Sequence, residues 1–355
     1  MAMSLGAPGL GPLVAGRLVA GHLVAGRLGP ASLTPPTAMG SQLSTPYPIP
    51  APAVQPEPCP PPPLPPGPPP PPLPSPAVPT SRVPLVKAAP TRRVSLAAVA
   101  GKGIWVTDFP GGHVDVAQVV ATARLAHLNQ IWVRTGSSQD GFYGGPLLRQ
   151  LVPAAHAAGI SVVAWDFPTL SDPAADAVRA LDALRAGADA FSPDIEAAAE
   201  GTYLSVRRAR YYLSLVRHYA GSHPVIATVP VPDSYWVKFY PYKAEAPFVN
   251  AFAPMVYWDC TKPNIAVEQA IHYLAPLRPV APIGQDFNMA SEGGRHGLPS
   301  PLEIWSFLYA AHRFGAVGAS LYDIEDGGLP QLEALAAYPW RPSGLVSGRG
   351  RTRTR

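Results

Sequence analysis

Two carboxylates at alternate positions are the chemistry to explain first. They are Asp194 and Glu196, in the run Asp189-Ala190-Phe191-Ser192-Pro193-Asp194-Ile195-Glu196. In an extended chain, residues i and i+2 project to the same face, roughly 6.5–7 Å apart. Ser192, Asp194 and Glu196 therefore share a face, and Ile195 turns the other way into apolar packing. Two acids this close disfavour each other's ionisation, so one stays protonated near neutral pH. A proton donor beside a charge stabiliser is the equipment of acid-assisted bond cleavage.

Such a pair needs a scaffold that ends a strand at an accessible edge. From Gly101 onward, eight apolar runs recur at intervals of about thirty residues. They are Gly103–Phe109, 130–134, Ser161–Phe167, 190–196, 224–229, 249–258, 280–285 and 319–322. Near-continuous apolar runs fit strands buried on both faces of a parallel sheet. Helical patterns lie between them. Val116, Val119, Val120 and Ala123 follow the i, i+3, i+4, i+7 rule, as do Val206, Ala209, Leu213 and Val216, with Arg207, Arg208, Arg210 and Arg217 mostly on other faces. Asp172-Pro173 reads as an N-cap with proline at the first helical position, and Ser300-Pro301-Leu302-Glu303 as a capping box whose helix Gly315 closes. The count predicts a (β/α)8 TIM barrel over residues 100–341, with a doubly wound open sheet as the structural alternative. No Gly-x-Gly-x-x-Gly follows the first run, so no dinucleotide cofactor is expected.

In barrels of this type the chemistry sits where strands end. That rule selects Asp108 and His113 after the first strand, Arg134 after the second, and Trp165 and Asp166 after the third. The fourth supplies Asp194 and Glu196; the sixth Met255, Tyr257, Trp258 and Asp259; the seventh Gln285 and Asp286; the eighth Tyr322, Asp323 and Glu325. Histidines are sparse there and none pairs at ligand spacing, so neither a zinc site nor any other metal is expected, although acid-rich sites can hold magnesium through oxygen. No Ser-His-Asp or Cys-His pattern stands out, and Cys260 reads as an inert thiol. Acids beside flat aromatic faces suit sugars. Glycosidic cleavage needs a proton for the leaving oxygen and negative charge near an oxocarbenium-like centre, and aromatic rings pack on the CH faces of sugars. Gln285 occupies the strand-seven end, where a two-glutamate retaining barrel would carry its nucleophile.

The chain of 355 residues carries a formal charge of +4 and 48 prolines, most of them before residue 100. Residues 1–45 hold the repeat Leu-Val-Ala-Gly-Arg/His, whose charges at Arg17, His22 and Arg27 break every apolar run, so a normal signal peptide is not readable. This segment reads as a low-complexity leader or a start assigned too early. Residues 46–99 read as a disordered, proline-rich linker in polyproline II. Residues 342–355 read as a solvated basic tail. No run of about 18 apolar residues predicts a membrane span, and no nucleic-acid partner is expected. Two cysteines, Cys59 and Cys260, form no disulfide framework on this reading. A monomer is expected.

The strand-four run resembles the signature of glycoside hydrolase family 18, the chitinase-like barrels, written Asp-x-x-Asp-x-Asp-x-Glu. Asp189, Asp194 and Glu196 match it, and Ser192 replaces the middle acid. Met255-Val256-Tyr257-Trp258 resembles that family's Met-x-Tyr-Asp, with Trp258 in place of the acid. The resemblance implies Glu196 as general acid, Asp194 and Tyr257 as holders of the substrate's N-acetyl group, and that group as the internal nucleophile. The lysozyme-like barrels of glycoside hydrolase family 25 are a second match, through Asp194, Glu196, Asp108 and the run Ile131-Trp132-Val133-Arg134-Thr135-Gly136. Either resemblance implies a polysaccharide partner of chitin or peptidoglycan type and a secreted or cell-surface address. The expected site thus comprises Glu196, Asp194, Tyr257 and Asp108 for chemistry, and Arg134, Trp165, Asp166, Trp258, Gln285 and Tyr322 for substrate. Two other readings remain open: a carbohydrate-binding barrel without turnover, and a phosphate-handling barrel using the loop 292–297.

Overall fold

The computed structural model describes residues 94–340, residue 293 excepted. The leader, most of the linker and the basic tail lie outside the described residues. Strands β1 (Gly101–Val106), β2 (Gln130–Ser137), β3 (Gly141–Phe142), β4 (Ser161–Phe167), β5 (Ala190–Pro193), β6 (Ile226–Pro230), β7 (Ala251–Val256), β8 (Ile283–Gln285) and β9 (Gly318–Tyr322) form one sheet. All are parallel except β3, which folds back antiparallel on the end of β2. The neighbour order β5-β4-β2-β1-β9-β8-β7-β6 is closed by bridges Phe191–Val225 and Asp194–Thr228 between β5 and β6. This is the expected eight-stranded (β/α) barrel, with each of the eight apolar runs supplying one strand.

The ring closes at the acidic run. Pro193 ends β5 opposite Asp166 of β4, and Asp194 then crosses over to pair with Thr228. The Asp194 amide donates to the Asp166 carbonyl at 2.9 Å, and the Ile195 amide donates to the Thr228 carbonyl at 3.2 Å. The peptide carrying the two acids is thereby tied to both neighbouring strands.

Alternation divides the side chains into two cores. Inside the barrel, Trp105, Trp132 and Trp165 pack with Val163, Ile226, Ala253 and Ile283. Trp105 stacks on Trp132 with centroids 4.7 Å apart. Each indole buries a large apolar area, and a polar edge that needs a partner. Trp105 Nε1 donates to Ser320 Oγ at 2.9 Å, and Trp132 Nε1 to Gln130 Oε1 at 2.6 Å. Outside, Val106, Val133, Val162, Phe191, Val229 and Phe252 face the helices. The folded part begins before Gly101, since the turn Ala97–Val99 is 3-10 helical and buries Val99 against the barrel interior.

Helices α1 (Val116–Leu125), α2 (Gly145–Ala157), α3 (Pro173–Arg185) and α4 (Val206–Ala220) follow the early strands. The fifth unit has no full helix. It carries two single turns, α5 (Trp236–Phe239) and α6 (Tyr242–Glu245), in a stretch punctuated by Pro232, Pro241 and Pro247, which a longer helix would not accommodate. Helices α7 (Pro263–Leu274), α8 (Pro301–Arg313) and α9 (Leu329–Ala337) complete the ring. The expected caps are present. Asp172 accepts from the amides of Ala174 and Ala175, and Ser300 with Glu303 forms a capping box on α8. Arg208 is buried rather than on a wet face, donating to the Leu170 carbonyl at 2.6 Å. No helix among the described residues is long and apolar enough to cross a membrane.

Candidate active site

The mouth of the barrel is built around the Asp194–Glu196 turn. Three hydrogen bonds hold it: the two strand bonds above, and one from the Tyr240 hydroxyl, which donates to the Ile195 carbonyl at 2.8 Å. Tyr240 comes from the proline-punctuated loop after β6 and is buried. Burial and the nearby carboxyls of Glu245 and Glu196 push its phenol well above its usual pKa, so it stays a donor. Ile195 faces the outer core, and Glu196 is half-buried at the rim.

Asp194 is 8% exposed and has one carboxylate oxygen without a hydrogen-bond partner. Burial raises its pKa to about 7, against the pull of Arg134 and with a push from Asp166 and Glu200. It is therefore a neutral acid in mildly acidic solution. Ser192, one step deeper, is fully buried; its hydroxyl donates to the Ile226 carbonyl at 2.7 Å and lies 2.8 Å from Thr228 Oγ1. Asp189 belongs to the other end of the strand. There it accepts from the Val162 amide at 2.7 Å and contacts His156 at 2.9 Å, tying β5 to β4. The first acid of the run is thus a structural tether.

Arg134 lies across the mouth. Its guanidinium carbon sits 4.6 Å from the Phe109 ring centre and 5.3 Å from that of Trp165. Beneath and beside it, Tyr322 makes ring contacts with Trp105, Trp165, Tyr257 and Phe287 at 5.8, 6.4, 6.1 and 5.9 Å. Tyr257 meets Phe287 edge-on at 5.1 Å. The floor of the mouth is therefore aromatic, with Tyr257 and Tyr322 half-buried. Asp108 is half-buried after β1, and burial raises its carboxyl above the usual range.

Four of the residues expected to contact substrate are buried away from this mouth. Asp166 is fully buried on the helix side, paired with Arg179 Nε, and Arg179 also bonds Asp176 at 3.0 Å. Trp258 is 1% exposed and packs on Phe307 of α8 at 5.4 Å. Gln285 is fully buried; its side chain accepts from the Asp259 amide at 2.9 Å and donates to the Phe287 carbonyl at 3.1 Å. Trp165 is inside the barrel, 3% exposed, and its face is covered by Arg134. Ring contacts join Tyr322 to Tyr257 and Trp165, Arg134 lies on Trp165, and the charges of Arg134 and Asp194 both act on Tyr322. Glu196 follows two residues after Asp194 beside Tyr240, and Asp108 is half-buried after β1.

Strand-end reading missed Tyr143, Phe109 and Phe287. Tyr143 follows the β3 turn, and its hydroxyl donates to the Asp108 carbonyl at 2.7 Å, binding the first loop to the second. Burial pushes its phenol up to about 12. The glycines at 141, 144 and 145 flanking Phe142 and Tyr143 were a readable sign of this fold-back.

The loop after β8 is internally committed. Asp259 accepts the Arg295 amide at 2.6 Å, and the Arg295 side chain pairs with Glu303 at 2.9 Å. An anion cradle there is already filled by a protein carboxylate. Among the described residues no three His, Cys, Asp or Glu side chains converge as a metal site. Cys260 is disulfide-bonded rather than a free thiol; Cys59 lies outside the described residues.

No protein-family model matches the sequence, and no curated protein matches it. Solved structures share the fold. A chitinase from Chromobacterium violaceum ATCC 12472 is 12% identical, with 66% of this chain and 98% of that chain covered and a TM-score of 0.52. The Bacillus cereus spore cortex-lytic enzyme SleL is 11% identical, with 66% and 73% covered and a TM-score of 0.50. The chain shares the barrel fold of these two proteins.

Proposed function

We propose that this chain is a glycoside hydrolase-type enzyme that cleaves an N-acetylated amino-sugar polymer, with Glu196 as proton donor. The observation that carries the reading is the turn at the barrel mouth, where the peptide between Asp194 and Glu196 is held by β4, β6 and Tyr240. A carboxyl that must meet a glycosidic oxygen within a few tenths of an ångström needs such fixation. Glu196 donates its proton to the leaving oxygen as the bond to the anomeric carbon breaks. The substrate's own acetamido oxygen then closes on that carbon, with Asp194 and Tyr257 holding the acetamido group. Water opens the resulting ring with Glu196 now accepting its proton. A substrate-assisted route suits the residues present, because Gln285 at the strand-eight end of the ladder is neutral and internally bonded. Asp108, Arg134 and Tyr322 contact substrate in this reading. Two neighbours in fold, a chitinase and a spore cortex-lytic enzyme, support the reaction class.

Removing a general acid costs about 10²–10⁴-fold in rate. Glu196→Gln should lose that much in kcat on chitin or peptidoglycan oligomers while keeping the wild-type melting temperature. Undiminished kcat in a folded variant would end the proposal.

A second reading is a carbohydrate-binding barrel without turnover. Ser192 in place of an acid and the burial of Trp258 against α8 favour it. Saturable glycan binding with no released reducing ends would select it.

A further inference from the structure

We propose that Arg134 reads a carboxylate on the substrate, so that the polymer taken by this mouth is an amino-sugar chain with acidic substituents rather than neutral chitin. The inference rests on the glycan reading above.

Two rings lie against the guanidinium, with the Phe109 centre 4.6 Å and the Trp165 centre 5.3 Å from its carbon. The guanidinium edge carries the forked N–H donors that match a planar carboxylate. No protein acid takes that place. The ion pairs within 4.0 Å among the described residues join His156 to Asp189, Arg179 to Asp166 and Asp176, and Arg295 to Glu303, none involving Arg134. Its Nε is buried and has no acceptor at all. A half-buried cation with an unmet buried donor is costly.

The surroundings suit an anion more than the count of nearby acids suggests. Asp194, a carboxyl that feels the charge of Arg134, is held protonated by burial in mildly acidic solution. The Tyr322 phenol, which feels both groups, is also kept neutral. A neutral acetamide would satisfy one N–H; a carboxylate satisfies two and neutralises the charge. The rings packed against the guanidinium restrict the fork, which adds orientation to charge.

The test uses the full chain carrying Glu196→Gln, so that binding is read without turnover. The probes are a matched pair: an oligosaccharide of alternating N-acetylglucosamine and lactyl-bearing N-acetylmuramic acid, and the same oligosaccharide with its carboxylates converted to methylamides. Isothermal titration should give the acid form about tenfold tighter binding, the difference expected when a bond to a charged group is lost. Raising the salt concentration should shrink that gap in the parent protein, a readout that needs no further variant. Arg134→Gln should bring the two affinities together, and Arg134→Lys should keep part of the gap. Equal affinities in the parent protein, a gap that survives Arg134→Gln, or no binding of either probe would overturn the inference. A gap that behaves as expected, with no cleavage by the chain bearing its native Glu196, would instead remove the hydrolase reading and leave Arg134's role standing.

Discussion

Tyr240→Phe separates support of the acidic turn from support of the fold. The substitution keeps the ring and deletes one hydroxyl, the donor to the Ile195 carbonyl at 2.8 Å. Tyr240 is 5% exposed, so water does not freely replace that donor. Leaving a buried acceptor without its partner costs roughly 1–3 kcal/mol. For a barrel of this size that is a fall of about 2–4 °C in Tm per kcal/mol. The functional effect should be larger than the stability effect. The Ile195 carbonyl lies between the two acids, and a misplacement of about 1 Å at a reacting group can cost on the order of 10²-fold. Kinetics on amino-sugar oligomers should therefore show kcat falling by tens to about a hundredfold, with KM within about threefold of wild type. Calorimetry on the same samples supplies the stability change. A variant with the expected drop in Tm but an unchanged kcat would refute the reasoning, because the bond would then serve the loop alone.

Two further outcomes concern stability. Burial raises the carboxyls of Asp194 to about 7 and of Asp286 and Glu245 to about 8, all above their unfolded values. The folded chain then holds more protons than the unfolded one between about pH 4 and 8, so stability is full below that window and is lost as pH rises through it; Tm should fall from pH 5 to 8.5, and Glu245→Gln should flatten the slope, whereas a Tm that climbs over that interval would contradict the assignment. Ser300→Ala removes the acceptor that caps the Glu303 amide on α8 and should cost about 1 kcal/mol in urea unfolding with no change in m; a cost near zero would show that the Arg295–Glu303 pair alone holds this end.

The periodicity of the apolar runs carried the barrel well, because strands buried on both faces leave long unbroken signals. Side-chain direction at the strand ends was harder. Trp165 and Asp166 are adjacent, yet one points to the axis and the other to the helices. Alternation along β4 distinguishes them, since Val162 and Ala164 share the outer core and Val163 shares the inner one with Trp165. Beyond the last ladder residue this parity is lost. Trp258 lies two residues past β7 and folds back on α8, which no pattern in the run foretold. The fifth helix failed to appear for a readable reason, its prolines. Tyr143 reached the mouth through a two-residue fold-back, a local turn too short for any periodicity. The pairing of Arg208 with a loop carbonyl depended on where α3 begins, which is tertiary information.

The most direct measurement is mass spectrometry of chitin oligomers and of peptidoglycan after incubation with the full chain and with its Glu196→Gln variant. The account predicts shortened glycans with new reducing ends from the wild-type chain, and intact polymer from the variant under the same conditions. Intact polymer from both, or identical fragments from both, would contradict the claim that Glu196 delivers the proton that breaks the glycosidic bond.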